Sequence, residues 1–187
     1  HGYIRKPVSQ AQVTLTHFVD QLWAADRLTL VGEVGYNHIA GINESALRFG
    51  RDGNYGNGQM PAGTNPLNGM DLPANVSCTA LLNTANPQNC DSKGFYTANS
   101  WGYRGRAILE FANAFANVNL RPSVSWSHDV DGYGPNFNEG SKAVSLALDA
   151  DYRNSYSASL SYTDFFGGEY NTSIDRDFVA LSFGVSF

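Results

Sequence analysis

Hydrophobic and polar residues alternate with a period of two in seven stretches of this sequence, and that alternation limits the possible folds. In NVNLRPSVSWSHD, residues 117–129, one face of an extended chain carries Val, Leu, Pro, Trp and His, and the other carries Asn, Arg, Ser and Asp. Side chains of a strand point to opposite faces in turn, whereas a helix repeats every 3.6 residues. The alternating stretches are therefore predicted to be β-strands: 11–22, 28–39, 100–112, 118–129, 142–152, 156–162 and 177–187.

The chemistry of the two faces indicates where such strands lie. The apolar face is aliphatic in the middle of each strand and aromatic at its ends, while the other face is small, hydroxylic or charged. Strands of about ten residues with aromatic ends are typical of outer-membrane barrels. A soluble barrel or sandwich is the alternative, but its polar face is usually richer in Lys and Glu, and this chain has three lysines. We expect an all-β fold, an antiparallel transmembrane β-barrel.

The predicted connections alternate between long and short without exception. In chain order they are residues 23–27, 40–99, 113–117, 130–140, 153–155 and 166–174. Bacterial barrels have short periplasmic turns, long extracellular loops and an even number of strands. Seven readable strands therefore predict at least one more before His1. We expect residues 1–187 to be the C-terminal part of a single larger barrel, with a long extracellular loop at about 40–99.

Composition excludes some classes of protein and indicates a compartment. No stretch approaches the 18 apolar residues of a membrane-spanning helix, and the net charge of −5 disfavours nucleic acid as a partner. Cys78 and Cys90 lie in a stretch rich in Asn, Pro and Gly. An even cysteine count in a polar loop predicts a disulfide in an oxidising compartment, with two free thiols as the alternative.

The last predicted strand ends in an alternating apolar series. Its members are Val179, Leu181, Phe183, Val185 and Phe187. The series resembles the C-terminal signal by which the barrel-assembly machinery recognises outer-membrane proteins, since an amphipathic edge strand can be captured by strand addition. The alternative is a soluble edge strand that ends in Phe by chance.

Several segments together resemble the C-terminal region of one proteobacterial family, domain of unknown function 1302. They are LTLVGEVGYNHIAG at 28–41, SWGYRGRAILEFANAF at 100–115, NLRPSVSWSHDVDGYGP at 119–135, FNEGSKAVSLALDADY at 137–152 and DRDFVALSFGVSF at 175–187. The resemblance implies an outer-membrane location and a longer full-length protein. It also implies an outer-membrane lipoprotein similar to LolB and an RND-type exporter as partners, and hence the handling of hydrophobic or lipid-like molecules. It names no catalytic residue.

Charged residues at the inward-facing positions are the main candidates for a functional surface. They are Glu33, Arg104, Arg106, Glu110, Arg121, Asp129, Asp149 and Asp151. One interpretation is a structural ladder that rigidifies the wall, and the other is a selectivity or binding surface. Their mixed signs argue against a dedicated anion or cation pore. Loop lengths predict that Arg121 lies between Glu110 and Asp149 as an ion-pair ladder near the periplasmic end.

The sequence gives weaker support for a catalytic triad or a calcium site. Ser127, His128 and Asp129 are neighbours in sequence, but neighbouring strand residues diverge and a catalytic triad needs convergent side chains. The oxygens of residues 129–139 suggest calcium, but they lack EF-hand spacing, and an Asp-Gly turn is the better interpretation. We therefore predict no catalytic residue, metal site or cofactor.

Three functions follow from these patterns. We expect an outer-membrane barrel for transport or export, in contact with outer-membrane lipids. The alternatives are an outer-membrane hydrolase, and a structural or adhesion barrel that acts through its long loop. Loss of the loop without loss of flux would favour the adhesion barrel.

Two sets of aromatic residues are predicted to mark the membrane interfaces, where apolar rings with polar tips are favoured. The outer set is Tyr36, Trp101, Tyr103, Trp126 and Tyr162. The periplasmic set is Trp23, Phe111, Tyr152, Tyr156 and Phe187.

Overall fold

Seven long strands form one open antiparallel sheet in the computed structural model, which describes residues 5–44, 48–55, 63–64, 71–72, 91 and 93–186. The long strands are β1 (Val8–Leu22), β2 (Ala25–Ile39), β5 (Asn99–Phe115), β6 (Val118–Asp131), β7 (Lys142–Tyr152), β8 (Tyr156–Phe166) and β9 (Phe178–Val185). A short 3₁₀ helix (Gly53–Tyr55) and a two-stranded ribbon of β3 (Gly63–Thr64) and β4 (Asp71–Leu72) lie between β2 and β5. The described residues contain no α-helix.

Each long strand pairs with the next long strand in the chain, so the sheet is a simple meander with β1 and β9 at its two edges. All seven predicted strands are present, and most extend further than the alternation indicated. Strand β5 continues to Phe115, three residues beyond its predicted end, because of the turn that follows it. Ala116 and Asn117 both have positive φ, at 49° and 66°, and two such residues form the type I′ turn that joins twisted strands most tightly.

The register keeps apolar residues opposite apolar residues across the sheet. Val13 faces Val34, and Leu160 faces Leu181. A one-residue slip would exchange the two faces of a strand, so this pairing fixes the register. We call this side of the sheet the apolar face and the other side the polar face.

The apolar face is uncovered. Leu15 is 72% exposed and Phe183 is 76% exposed, although both lie within strands. An ordinary soluble antiparallel sheet packs its apolar face on a core and exposes the polar one. No described segment packs over this face, and the side chains of the polar face are largely accessible as well.

The connections divide between the two ends of the strands, which form the other two sides of the sheet. The short turns at 23–24, 116–117 and 153–155 lie at one edge, here called the turn edge. The long connections at 40–98, 132–141 and 167–177 leave the opposite edge, here called the loop edge. Most of the buried side chains gather at the loop edge: Ile39, Asn37, Ser100, Tyr133, Phe137, Tyr170 and Asn171. The small core of the described chain therefore lies where loops fold onto strand ends.

The two aromatic sets separate along the strands as predicted. Tyr36 and Trp101 are directly paired near the loop edge, and Tyr152 and Tyr156 are directly paired beside a turn. The Trp126 indole donates a hydrogen bond of 3.4 Å to the Tyr103 hydroxyl, which links two members of the outer set. Phe187 lies outside the described residues. The role of these sets as membrane interfaces stays a prediction.

Candidate functional site

The eight charged residues singled out in the sequence all lie on the polar face. The strand pairing places Glu33 opposite Arg104, and Arg121 opposite Asp149. Since directly opposed residues share a face, and each strand alternates, the remaining members follow: Arg106, Glu110, Asp129 and Asp151. Alternation alone was enough to bring these groups to one surface.

The predicted ladder at Arg121 has the expected register but lacks the expected ion pairs. Ile108 pairs with Ser123 and Phe111 with Leu120, so the same register puts Glu110 across from Arg121. No ion pair within 4.0 Å joins Arg121 to a carboxylate in the described part of the chain. Arg121 is exposed, and an exposed arginine gains little by fixing one geometry.

A different ion pair continues the same row of residues. The Arg27 Nε lies 2.8 Å from the Asp20 Oδ1, and Arg27 is directly opposite Glu110. The row thus runs Asp20, Arg27, Glu110, Arg121 and Asp149 across five adjacent strands, with alternating sign. Opposite charges in neighbouring strands stabilise this register, and a one-residue slip of a strand would turn its charge to the apolar face.

A pocket of about 270 Å³ opens on the polar face between the row just described and the loop edge. We call it the polar-face pocket and define it by its lining residues: Val31, Glu33, Arg104, Gly105, Arg106, Ser125, Trp126, Ser127, Ala143 and Ser145. Small residues of β6 and β7 leave the space, and arginine side chains of β5 border it. The arrangement offers hydroxyl groups and guanidinium groups beside a partly apolar floor.

The carboxylates of the pocket region are engaged in different ways. Asp129 lies 3.6 Å from the Arg104 Nη2 and also accepts a hydrogen bond of 2.9 Å from the Asn138 backbone N–H. Glu33 accepts hydrogen bonds from Gln12, at 2.7 Å, and from Thr14, at 3.4 Å. Asp129 therefore ties Arg104 to a loop, while Glu33 is directed toward β1.

Phe137, which is 5% exposed, packs on the polar face between the polar-face pocket and the loop edge. Gly35 and Gly102 are directly paired on the polar face, and the Phe137 ring packs on both of them. A Cβ built on Gly35 would lie 2.9 Å from the ring, and one built on Gly102 would lie 3.0 Å from it. The Arg104 guanidinium carbon lies 5.8 Å from the ring centroid, within the range of a cation–π contact. Only glycines leave room for the ring at this height.

Further aromatic residues from three loops form a cap at the loop edge. The Arg51 guanidinium carbon lies 4.5 Å from the Phe95 ring centroid and 5.2 Å from that of Tyr170. The Tyr170 ring in turn contacts Tyr55 and Tyr133 edge-on, at 5.2 Å and 5.9 Å. Arg51 also donates hydrogen bonds to backbone carbonyls of the long loop. One guanidinium thus joins separate loop segments.

Burial changes the acidity of the cap tyrosines. Burial, with the nearby Glu139 carboxylate, raises the pKa of Tyr133 to about 12. Burial also raises the pKa of Tyr170 above its ordinary value. Both phenols are therefore neutral at physiological pH and act in the cap as packing groups.

The weaker sequence candidates do not come together as reactive sites. His128 lies on the apolar face with its ring edge-on to Tyr103, at 5.5 Å, while Asp129 is on the polar face. In the loop after β6, Glu139 accepts a hydrogen bond from the Gly132 backbone N–H. The carboxylates of Asp129 and Glu139, which the sequence suggested as calcium ligands, thus accept hydrogen bonds from backbone N–H groups of the same loop. The described residues contain no group of three or more His, Cys, Asp or Glu placed to hold a metal.

Two sequence predictions fall partly or wholly outside the described residues. Cys78 and Cys90 both lie outside the described residues, so their disulfide stays a prediction. Phe187, the last residue of the predicted assembly signal, also lies outside the described residues. The other four members lie on the apolar face of edge strand β9: Val179, Leu181, Phe183 and Val185. The amphipathic edge strand that such a signal needs is therefore present.

Sequence reasoning missed Phe137 and the cap residues. A usable signal existed, because an isolated Gly within a strand often marks close approach of another group. Gly35 and Gly102 both interrupt otherwise regular strands on the polar side. Nothing in the sequence, however, says which aromatic residue fills the space above them.

Comparisons with known proteins yielded a match to a family model. Neither the curated proteins nor the solved structures yielded a similar chain. No helix in the described part of the chain is long and apolar enough to cross a membrane. The family model described as Protein of unknown function (DUF1302) matches residues 1–187. The chain therefore belongs to the DUF1302 family, whose function is unknown.

Proposed function

We propose that this chain forms part of the wall of a bacterial outer-membrane β-barrel that transports or exports hydrophobic or lipid-like molecules. The observation that carries the proposal is the sheet with an apolar face left uncovered. Val13, Leu15 and Leu181 are 72%, 72% and 62% exposed. Continuous exposed apolar surface of this kind indicates contact with lipid or a partner. Lipid acyl chains would cover this face.

The segregation of the connections supports the same proposal. Every turn of two or three residues lies at one edge of the sheet, and every described long connection lies at the other. This asymmetry matches the periplasmic and extracellular sides of bacterial barrels. The polar face would then line the lumen, with the polar-face pocket on its wall and the cap at its outer mouth.

The partners follow from the family resemblance and the edge strand. The barrel-assembly machinery would recognise the apolar series of β9 during biogenesis. An outer-membrane lipoprotein and an RND-type exporter would supply or receive the transported molecules. A hydrolase has less support, since His128 and Asp129 lie on opposite faces.

Cysteine labelling in intact cells tests the proposed orientation. In full-length protein with Cys78 and Cys90 replaced by Ser, Asn136→Cys places a thiol in an exposed loop, and Asn154→Cys places one in an opposite turn. A membrane-impermeant maleimide should label Asn136→Cys in intact cells and Asn154→Cys only after the outer membrane is broken. Labelling of both in intact cells, or recovery of the protein in the soluble fraction, would contradict the proposal.

A further inference from the structure

The arginines of the polar face differ in their partners, and Arg106 stands apart. Arg27 pairs with Asp20, and Arg104 lies 3.6 Å from Asp129. The direct cross-strand neighbours of Arg106 are Val31 and Ser125, neither of which is acidic. In the described part of the chain, no carboxylate lies within 4.0 Å of its guanidinium.

Arg106 lies beside the space in the polar-face pocket. Its Nη2 donates a hydrogen bond of 3.3 Å to the Ser123 Oγ, which uses only one of its five N–H groups. Ser125 and Ser127 line the same pocket. Guanidinium and hydroxyl groups that line one space form a candidate oxyanion site, because the planar fork of Arg matches two oxygens of a carboxylate or phosphate.

The nearest carboxylates, Glu33 and Asp129, do not neutralise the positive charge of Arg106 by pairing with it. Glu33 lies diagonally across from Arg106 and accepts hydrogen bonds from Gln12 and Thr14 on its far side. Asp129 is used by Arg104 and by the Asn138 backbone N–H. Glu33 also lines the pocket and opposes an incoming anion, but its carboxylate is hydrogen-bonded toward β1, whereas Arg106 and the serines lie on the β5 and β6 side.

The volume and lining of the pocket specify the kind of ligand. About 270 Å³ is below the usual range of about 300–1,000 Å³ for pockets that enclose a whole small molecule. Val31 and Ala143 provide apolar walls next to the donors. A headgroup fits this space, and an apolar chain attached to it would lie along the wall.

We infer that the polar-face pocket binds the oxyanion headgroup of an amphiphile, with Arg106 as its anchor and Ser125 and Ser127 as further donors. The inference rests on the proposed function and narrows its substrate class from hydrophobic molecules to anionic amphiphiles. Arg106 is a binding residue in this assignment, and no covalent step is involved.

Calorimetric titration of the full-length protein in a neutral detergent tests the inference. The probes are decanoate, decyl phosphate, decanol and acetate. Decanol lacks the oxyanion and acetate lacks the long alkyl chain, so the set measures the contribution of each to binding. Decanoate and decyl phosphate should bind at least about tenfold more tightly than decanol, equivalent to about 1.4 kcal/mol. Acetate, which lacks the chain, should bind more weakly than decanoate by a similar factor. Equal binding of decanol, or of acetate, would overturn the inference.

Four variants locate the site. Arg106→Gln should weaken decanoate binding about tenfold, and Arg106→Lys should retain part of the affinity because it keeps the charge. Arg121→Gln is the matched control, since Arg121 is exposed on the same face and does not line the pocket. Glu33→Gln should tighten binding about threefold by removing an opposing charge. Unchanged binding in Arg106→Gln, or equal loss in Arg121→Gln, would overturn the assignment.

The labelling experiment distinguishes this inference from the proposed function. If the protein inserts with its loops outside and Arg106→Gln still binds decanoate normally, the inference fails and the proposed function stands. If the protein does not insert, both fail.

Discussion

Replacing Gly35 by Ala should destabilise the protein through one contact, that with Phe137. The added Cβ would lie 2.9 Å from the Phe137 Cζ, whereas ordinary contact begins at 3.4 Å, so the ring must move by at least about 0.5 Å. Overpacking of this kind costs about 1–3 kcal/mol. Ala is better than Gly within a strand by about 0.5–1 kcal/mol, so the net loss of unfolding free energy should be at most about 2.5 kcal/mol, with a middle value of about 1 kcal/mol.

Gly32 provides a matched control on the same strand. A Cβ built on Gly32 meets no atom within 4 Å, so Gly32→Ala should gain the strand preference alone. We expect it to stabilise the protein by about 0.5–1 kcal/mol. The two substitutions are chemically identical and three residues apart, and they should change stability in opposite directions.

A double-mutant cycle isolates the contact. Phe137→Ala removes a nearly buried ring and should cost about 3 kcal/mol or more by itself. In that background, Gly35→Ala should lose its cost, giving a coupling of about 1–3 kcal/mol. Unfolding free energies of the full-length protein in detergent, from denaturant titration followed by tryptophan fluorescence, provide the measurement. Equal effects of Gly35→Ala and Gly32→Ala, or an unchanged cost of Gly35→Ala without Phe137, would refute the packing argument.

Two further predictions concern the charged row and the cap. Arg121→Leu should lower the unfolding free energy by less than about 1 kcal/mol, because no ion pair is formed there, and a loss of several kcal/mol in the same titration would contradict this. For Tyr133, whose folded pKa is raised to about 12 from an ordinary value near 10, the contribution to stability should be complete below about pH 10 and lost as pH rises through about 12. Limited proteolysis of the cap across this pH range should therefore accelerate in wild type and less so in Tyr133→Phe, and identical profiles would argue against a role for this phenol.

The sequence by itself determined the strands, their two faces and much of their register. Alternation of period two decides which side of a strand each residue occupies, whatever the rest of the fold does. Short turns then fix how neighbouring strands align, which is why Glu110 could be placed across from Arg121. These features depend on contacts between residues close in sequence or on a pattern repeated along the chain.

The tertiary structure alone decided which charges pair, where space remains and which loop residues pack on the strands beside it. Alternation predicted that Arg121 and Asp149 share a face, but the ion pairs form instead at Arg27 and Arg104, because side-chain conformation depends on every neighbour in three dimensions. Likewise, Phe137 reaches the glycines of β2 and β5 from a loop that follows β6. Long loops have no periodic pattern to read, and their contacts span large separations in the chain, so the polar-face pocket and the loop-edge cap emerge only when the strands and loops are assembled.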